Sequence, residues 1–197
     1  MPTDPAPLTE GCAAVEEEAA GFMRTLGAGE IAHPGGTLLD HLLRVRGLLA
    51  AWGARPELRL AGLCHAAYGT DGFPTALLPL GRRAELTAVI GAGAEQLVYD
   101  YASCDREATY AGLADDDAVF HDRFTGRTFV PSPSLRRDFA ELTAANELDL
   151  VLTNPDVADR WSAGLLRLLT RFRPLLSDSA WKECLTACGS TGSTISS

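Results

Sequence analysis

The sequence predicts a mostly α-helical fold with one small β-hairpin, and three observations carry that prediction. Apolar residues recur at helical spacing over most of the chain, as in Leu38, His41, Leu42, Val45, Leu48, Leu49 and Trp52. Glycine and proline punctuate those stretches at intervals of one helix length. A single segment, residues 119–130, changes to aromatic and β-branched residues around a Thr125-Gly126 turn. With 197 residues and 46% hydrophobic content, the chain suits one domain with a full core.

The elements follow in order. Residues 1–8 read as a short flexible leader, because Pro2, Pro5 and Pro7 cannot sit inside a helix. A first helix is expected over 10–26, closed by Gly27 and Gly29. Thr37 caps a second helix, which Gly53 ends, and Pro56 starts a third that runs to Tyr68. The inward line of that third helix is Leu58, Ala61, His65 and Tyr68. Gly69 acts there as a helix cap, and Gly72 and Pro74 force a loop. Residues 82–90 and 94–104 read as two helices split by Gly91 and Gly93. After the hairpin, Ser134 is expected to cap a long helix with an inward stripe of Leu135, Phe139, Leu142, Asn146 and Leu150. Pro155 starts another, carrying Trp161, Leu165, Leu168, Leu169 and Phe172 inward. The helical domain is placed at 9–188, and the Ser/Thr/Gly segment 189–197 reads as a disordered tail.

Composition narrows the function. The net charge is −9, and no basic stripe exists to neutralise phosphates, so nucleic acid is not an expected partner. No apolar run approaches the roughly 20 residues of a membrane span. Without a signal-peptide pattern, a cytoplasmic location is expected. The five cysteines include no CxxC pair; Cys184 and Cys188, four apart, read as half-buried helix residues.

The chemistry rests on histidine. The chain has four, and His41 and His65 fall on the apolar faces of consecutive helices. Asn146 falls on a third apolar face. Burying imidazoles and an amide costs free energy unless partners meet them, and one shared polar site would satisfy all three. Separate structural hydrogen bonds are the alternative.

The stretch from His33 through Thr37 to His41, then Leu60-Ala61-Gly62-Leu63-Cys64-His65-Ala66, resembles the opening of HD-domain proteins. In particular it is similar to the RelA/SpoT-type hydrolases of guanosine tetraphosphate. Ala144-Ala145-Asn146-Glu147-Leu148 resembles their downstream Ala-Asp-x-Leu, and residues 90–98 their intervening helix. The resemblance covers residues 32–153. A closer likeness is to an uncharacterised HD-like group with His-x-x-Tyr-Gly-Thr, which here is His65 to Thr70. The resemblance implies an HD-like helical bundle with metal ligands at His41, His65, position 66 and Asn146. Ala66 has no donor atom and Asn146 is neutral, so both carboxylates are missing and the site is a degenerate one. His33, eight residues before His41, is the candidate replacement, giving a ligand set of His33, His41, His65 and Asn146.

Two cofactor states are therefore expected, one divalent Mn, Fe or Zn ion or none. With a metal, the expected function is hydrolysis of a phosphorylated or nucleotide-like small molecule. Without one, a tailoring or lyase-type enzyme of specialised metabolism would use His41, His65 and Tyr68 as acid–base groups. Thr70, Arg106, Arg123 and Asn146 are the candidate substrate-binding residues. The third expectation is a non-catalytic ligand-binding or partner protein that kept the fold.

Overall fold

In a computed structural model the described backbone covers residues 6–189, with side chains from residue 11. The first helix, α1, spans Ala6–Thr25 and so takes in the end of the segment read as a leader. Residues 1–5 and 190–197 lie outside the described residues, and with them the rest of that leader and nearly all of the expected tail.

Two short strands the sequence did not announce, β1 (Ala32–His33) and β2 (Gly36–Thr37), pair antiparallel ahead of α2 (Leu38–Ala51). Thr37 caps α2 as expected, and the cap is reciprocal. Its hydroxyl accepts from the Asp40 amide, while the Asp40 carboxylate accepts from the Thr37 amide. Such a cap is worth about 1 kcal/mol. The turn between the strands needs glycine at both positions. Gly35 and Gly36 have φ of 78° and 137°, and a Cβ on Gly35 would lie 2.7 Å from Thr153 Cβ.

Helix α3 is shorter than expected, Pro56–Cys64. From His65 the chain winds on through tighter i→i+3 bonds, Ala67 N–H to Cys64 O and Gly69 N–H to Ala66 O. Gly69 (φ 72°) therefore closes a turn, because a helix ending at Cys64 leaves it no cap role. Leu58 and Ala61 of α3 are still buried, as are His65 and Tyr68 in the turn that follows. The next two expected helices are one bent element, α4 (Arg83–Ser103), with the bend at Gly91 (φ 81°, ψ 157°). A short helix, α5 (Arg106–Tyr110), follows.

The hairpin lies where it was expected. β3 (Phe120–Asp122) and β4 (Arg127–Phe129) pair antiparallel, with Gly126 at φ 70° in the turn. The long helix α6 spans Pro133–Thr153, and its cap is Ser132 rather than Ser134. Proline is favoured at the first helical position, so Pro133 opens the helix one residue before the expected cap. Asn154 closes α6 and caps α7 (Pro155–Phe172), and α8 (Asp178–Gly189) completes the bundle. Trp161 departs from expectation: it is 62% exposed while Leu165 and Leu169 on the adjoining face are buried.

Two packed clusters hold the domain. One joins α1, α3 and the bent α4 through Met23, Leu63 and Val98. The other joins α6, α7 and α8 through Phe139, Leu148, Leu169 and Cys184. Helix α2 belongs to both, with Leu42 in the first and Val45 and Leu49 in the second. Each such leucine contributes about 1.5–3 kcal/mol by leaving water. Gly62 permits the close α2–α3 crossing, since a Cβ there would lie 2.4 Å from Leu49 Cδ1. Where α2, the end of α3 and α6 meet, their polar residues share one side.

Candidate functional site

The helical register brings His41 of α2, His65 at the end of α3, and Asn146 and Asp149 of α6 together. The β1–β2 hairpin adds His33. The ring centroids of His33 and His41 lie 4.3 Å apart, and those of His41 and His65 5.3 Å apart at 76°. All four of His41, His65, Asn146 and Asp149 are buried.

His41 Nδ1–H donates to Asp149 Oδ2 at 2.6 Å. Arg44, one turn along α2, donates Nε–H to Asp149 Oδ1 at 2.6 Å and Nη2–H to Oδ2 at 3.0 Å. The same guanidinium reaches the carbonyls of Pro34 and Gly35, which ties the hairpin carrying His33 to the carboxylate that orients His41. Burial alone would raise the Asp149 carboxyl. The His41 and Arg44 bonds outweigh it and hold the group below its ordinary 3.8.

The other nitrogen of His41 decides the chemistry. Nε2 lies 3.1 Å from Asn146 Oδ1, and the Asn146 amide is oriented because its Nδ2–H donates to Glu147 Oε1. A carbonyl oxygen only accepts. Both ring nitrogens of His41 thus face oxygen atoms, an arrangement that suits a ring donating on both sides with Asp149 as its counter-charge.

Its neighbours are neutral. Burial, and then the charge on His41, push His33 down to about 4 and His65 down to about 3. His65 Nδ1–H donates to the Gly62 carbonyl at 2.8 Å, and the Asn146 side chain lies within hydrogen-bonding reach of the same ring. His33 Nδ1 is buried with no hydrogen-bond partner among the described residues. His41 thus sits between two neutral imidazoles.

The cluster lines a cavity of about 770 Å3, within the range of small-molecule sites. Thr70, Arg106 and Asn146 line it too, as do Leu150, Trp161 and Leu168. Thr70 Oγ1 accepts from the Phe73 amide at 3.0 Å and so fixes the loop after α3. Arg106 donates to Glu147 Oε1 at 3.1 Å and to the Tyr101 hydroxyl at 3.3 Å.

Two expected site residues are elsewhere. The Tyr68 hydroxyl donates to Glu95 Oε1 at 2.7 Å, and Arg83 binds both oxygens of the same carboxylate. The tighter winding after Cys64 turns the phenol toward α4, away from the cavity. Burial and the Glu95 carboxylate raise the phenol far above its ordinary 10.0, the wrong direction for an acid near neutral pH. Arg123 donates to the Ala102 carbonyl at 3.0 Å and covers the Phe124 ring, so it braces the hairpin instead of meeting a ligand.

The expected metal set does not fit either. Nε2 of His41 faces Asn146 Oδ1, Ala66 offers no donor, and both oxygens of Asp149 are held by His41 and Arg44. Among the described residues no three His, Cys, Asp or Glu side chains are placed to hold a metal ion. His33, His41, His65 and Asn146 are neighbours without being a chelating group.

Sequence reasoning missed Asp149, Arg44 and Glu147. Asp149 follows Asn146 by three residues, one turn along the same helix face. That spacing was a legible signal for a partner to a buried histidine.

Comparisons with known proteins bear on the fold. Residues 22–106 match the model of a family described as a domain of unknown function, DUF6817. No curated protein matches the sequence. Among solved structures the chain is similar to one described as "A metazoan ortholog of SpoT hydrolyzes ppGpp and plays a role in starvation responses". The identity is 9% and the TM-score 0.59, over 97% of this chain and 99% of that one. The fold is that of an HD-like helical bundle. No helix among the described residues is long and apolar enough to cross a membrane.

Proposed function

We propose that this chain is a small-molecule enzyme working by histidine acid–base chemistry on an HD-like bundle, with a lyase-type or isomerising reaction next to a carbonyl group. The single observation that carries this is His41, whose two ring nitrogens both face oxygen atoms, Asp149 Oδ2 at 2.6 Å and Asn146 Oδ1 at 3.1 Å. An imidazolium at the cavity floor supplies a proton or stabilises a developing oxyanion. His33 and His65, held neutral by burial, flank it as hydrogen-bonding groups that orient a substrate; their lowered proton affinity makes them weak bases. Pairs of titratable groups driven to opposite states by their surroundings are the usual basis of acid and base roles. Asp149 and Arg44 are positioning residues here, since they act through His41. One domain over residues 9–188 acting on a small molecule is part of the same reading.

The test is solvent-deuterium exchange at the α-carbon of small carbonyl compounds, followed by NMR with the purified chain. Exchange that persists in EDTA and disappears in His41→Asn supports the reading. Exchange absent from the parent protein across the panel sinks it, and tight binding with no exchange points to a non-catalytic ligand-binding protein.

A second reading is favoured by the bundle's likeness to a chain described as hydrolysing ppGpp. It is HD-type hydrolysis of a phosphorylated or nucleotide-like substrate. Release of p-nitrophenol from bis-p-nitrophenyl phosphate that depends on added Mn2+ would favour it over the first.

A further inference from the structure

The walls of the cavity say more about its ligand than the floor does. Helix α7 turns one face toward it, with Val157, Arg160, Trp161, Gly164 and Leu168 at helical spacing. Leu169 and Phe172 are buried in the core, Leu165 lies between core and cavity, and Val157 and Leu168 also pack partly against the core. Arg160, Trp161 and Gly164 are the exposed part of the cavity-facing stripe. It leaves Trp161 62% exposed, a large area of apolar ring presented at an opening. Leu38, Phe73, Leu150 and Val151 line the cavity as well. Most of the side chains lining it beyond the histidines are apolar, with Thr70, Asn146 and the Arg106–Glu147 pair as polar exceptions.

The cations are distributed unequally. Of the guanidiniums lining the cavity, Arg106 is half-buried and paired with Glu147 at 3.1 Å. Arg160 and Arg167 are exposed at the mouth, and neither enters an ion pair among the described residues. Arg44, near the floor, is bound to Asp149 and does not line the cavity. Guanidinium charge without a carboxylate partner is thus confined to the rim, while the interior holds the carboxylate of Glu147 beside its partner Arg106. A ligand dense in negative charge would meet two free cations and an apolar channel. A ligand with one anionic end and an apolar body meets what each part needs.

We propose that the cavity takes an amphipathic monoanion: an apolar body between α7 and α6, and a single carboxylate or phosphate monoester held at the mouth by Arg160 and Arg167. Trp161 covers the body beside that head. The end remote from the head reaches His41, which places the reacting carbonyl or hydroxyl at the far end of the molecule. This substrate class rests on the acid–base reading for its chemistry but not for its binding.

Binding is measured by calorimetry and by tryptophan fluorescence with decanoate, decyl phosphate, decanol and inorganic pyrophosphate. The expected order is decanoate or decyl phosphate about tenfold tighter than decanol, with pyrophosphate weakest. Arg160→Gln combined with Arg167→Gln should bring decanoate to the decanol affinity. Trp161→Phe should remove most of the fluorescence response while calorimetry still detects binding. Which anion binds more tightly tells a carboxylate from a phosphate ester. Decanol binding as tightly as decanoate, pyrophosphate binding more tightly than decanoate, or no binding of either apolar anion overturns the proposal. His41→Asn separates the two readings. Retained decanoate affinity alongside lost α-carbon exchange leaves both standing. Retained affinity with no exchange in the parent refutes only the chemistry.

Discussion

Replacing Asp149 with Asn tests the core of the site. The carboxylate is 2% exposed and accepts three charge-assisted hydrogen bonds, at 2.6 Å from His41 and at 2.6 and 3.0 Å from Arg44. Each such bond contributes about 1.5–3 kcal/mol. Asn keeps the shape and one accepting oxygen, but its NH2 group faces donors, so at least one of the bonds becomes a clash of hydrogens. Removing one partner of a buried pair costs about 3–5 kcal/mol because it strands the other charge. Arg44 is 32% exposed in its side chain, and water takes up part of its charge, which lowers the figure. The expected loss is about 2–4 kcal/mol, or roughly 5–15 °C in Tm for a domain of this size.

Thermal denaturation by circular dichroism measures it. The pH dependence adds a sign. The folded Asp149 carboxyl lies below its ordinary 3.8, so its contribution is complete above that value and lost as pH falls through the depressed one. The gap in Tm between parent and Asp149→Asn should therefore be widest near neutral pH and close in strong acid. Nitrogen NMR of the ring should show two protonated nitrogens on His41 at pH 7 in the parent and a neutral ring in the variant. A Tm within about 2 °C of the parent at pH 7, or a neutral His41 in the parent, would refute the reasoning.

Three further outcomes follow from the same geometry. His65, held down to about 3 against an ordinary 6.5, binds a proton in the unfolded chain before the folded one does. Stability should therefore fall as pH drops below 6.5, by up to about 1.4 kcal/mol per pH unit, and His65→Leu should flatten that limb in urea titrations. Tyr68→Phe removes the bond to Glu95 and should cost about 1–2 kcal/mol of stability while leaving decanoate affinity and α-carbon exchange unchanged; loss of exchange at full stability would return Tyr68 to the site. Ala66→Asp combined with Asn146→Asp supplies two carboxylates beside His41 and His65, and elemental analysis should find a bound divalent metal that the parent does not retain. Equal metal content in both chains would contradict the donor argument.

Much of the bundle was legible because it depends on local rules. The Thr37 cap, the Pro56 and Pro155 starts, the Thr125-Gly126 turn and the helical spacing of Leu38 through Trp52 are set by short-range sterics and hydrogen bonding. The convergence of His41, His65 and Asn146 was legible for a related reason: each is a polar residue on an apolar face, and burial requires a partner.

What the sequence by itself determined was which residues had to be buried, and so that three polar side chains on three helices needed one another. Which atoms met was decided only in the tertiary structure. A helix can wind more tightly in its last turn at little cost, so Tyr68 pointed to Glu95 instead of the cavity. Glycine tolerates φ of both signs, so Gly91 bent one helix where two were expected. Asp149 became the partner of His41 because the α2–α6 packing set their separation at hydrogen-bond distance, 108 residues apart in sequence. That contact, with Asn146 on the opposite nitrogen, fixed the orientation of the His41 ring and the oxygen atoms it meets at the floor of the cavity.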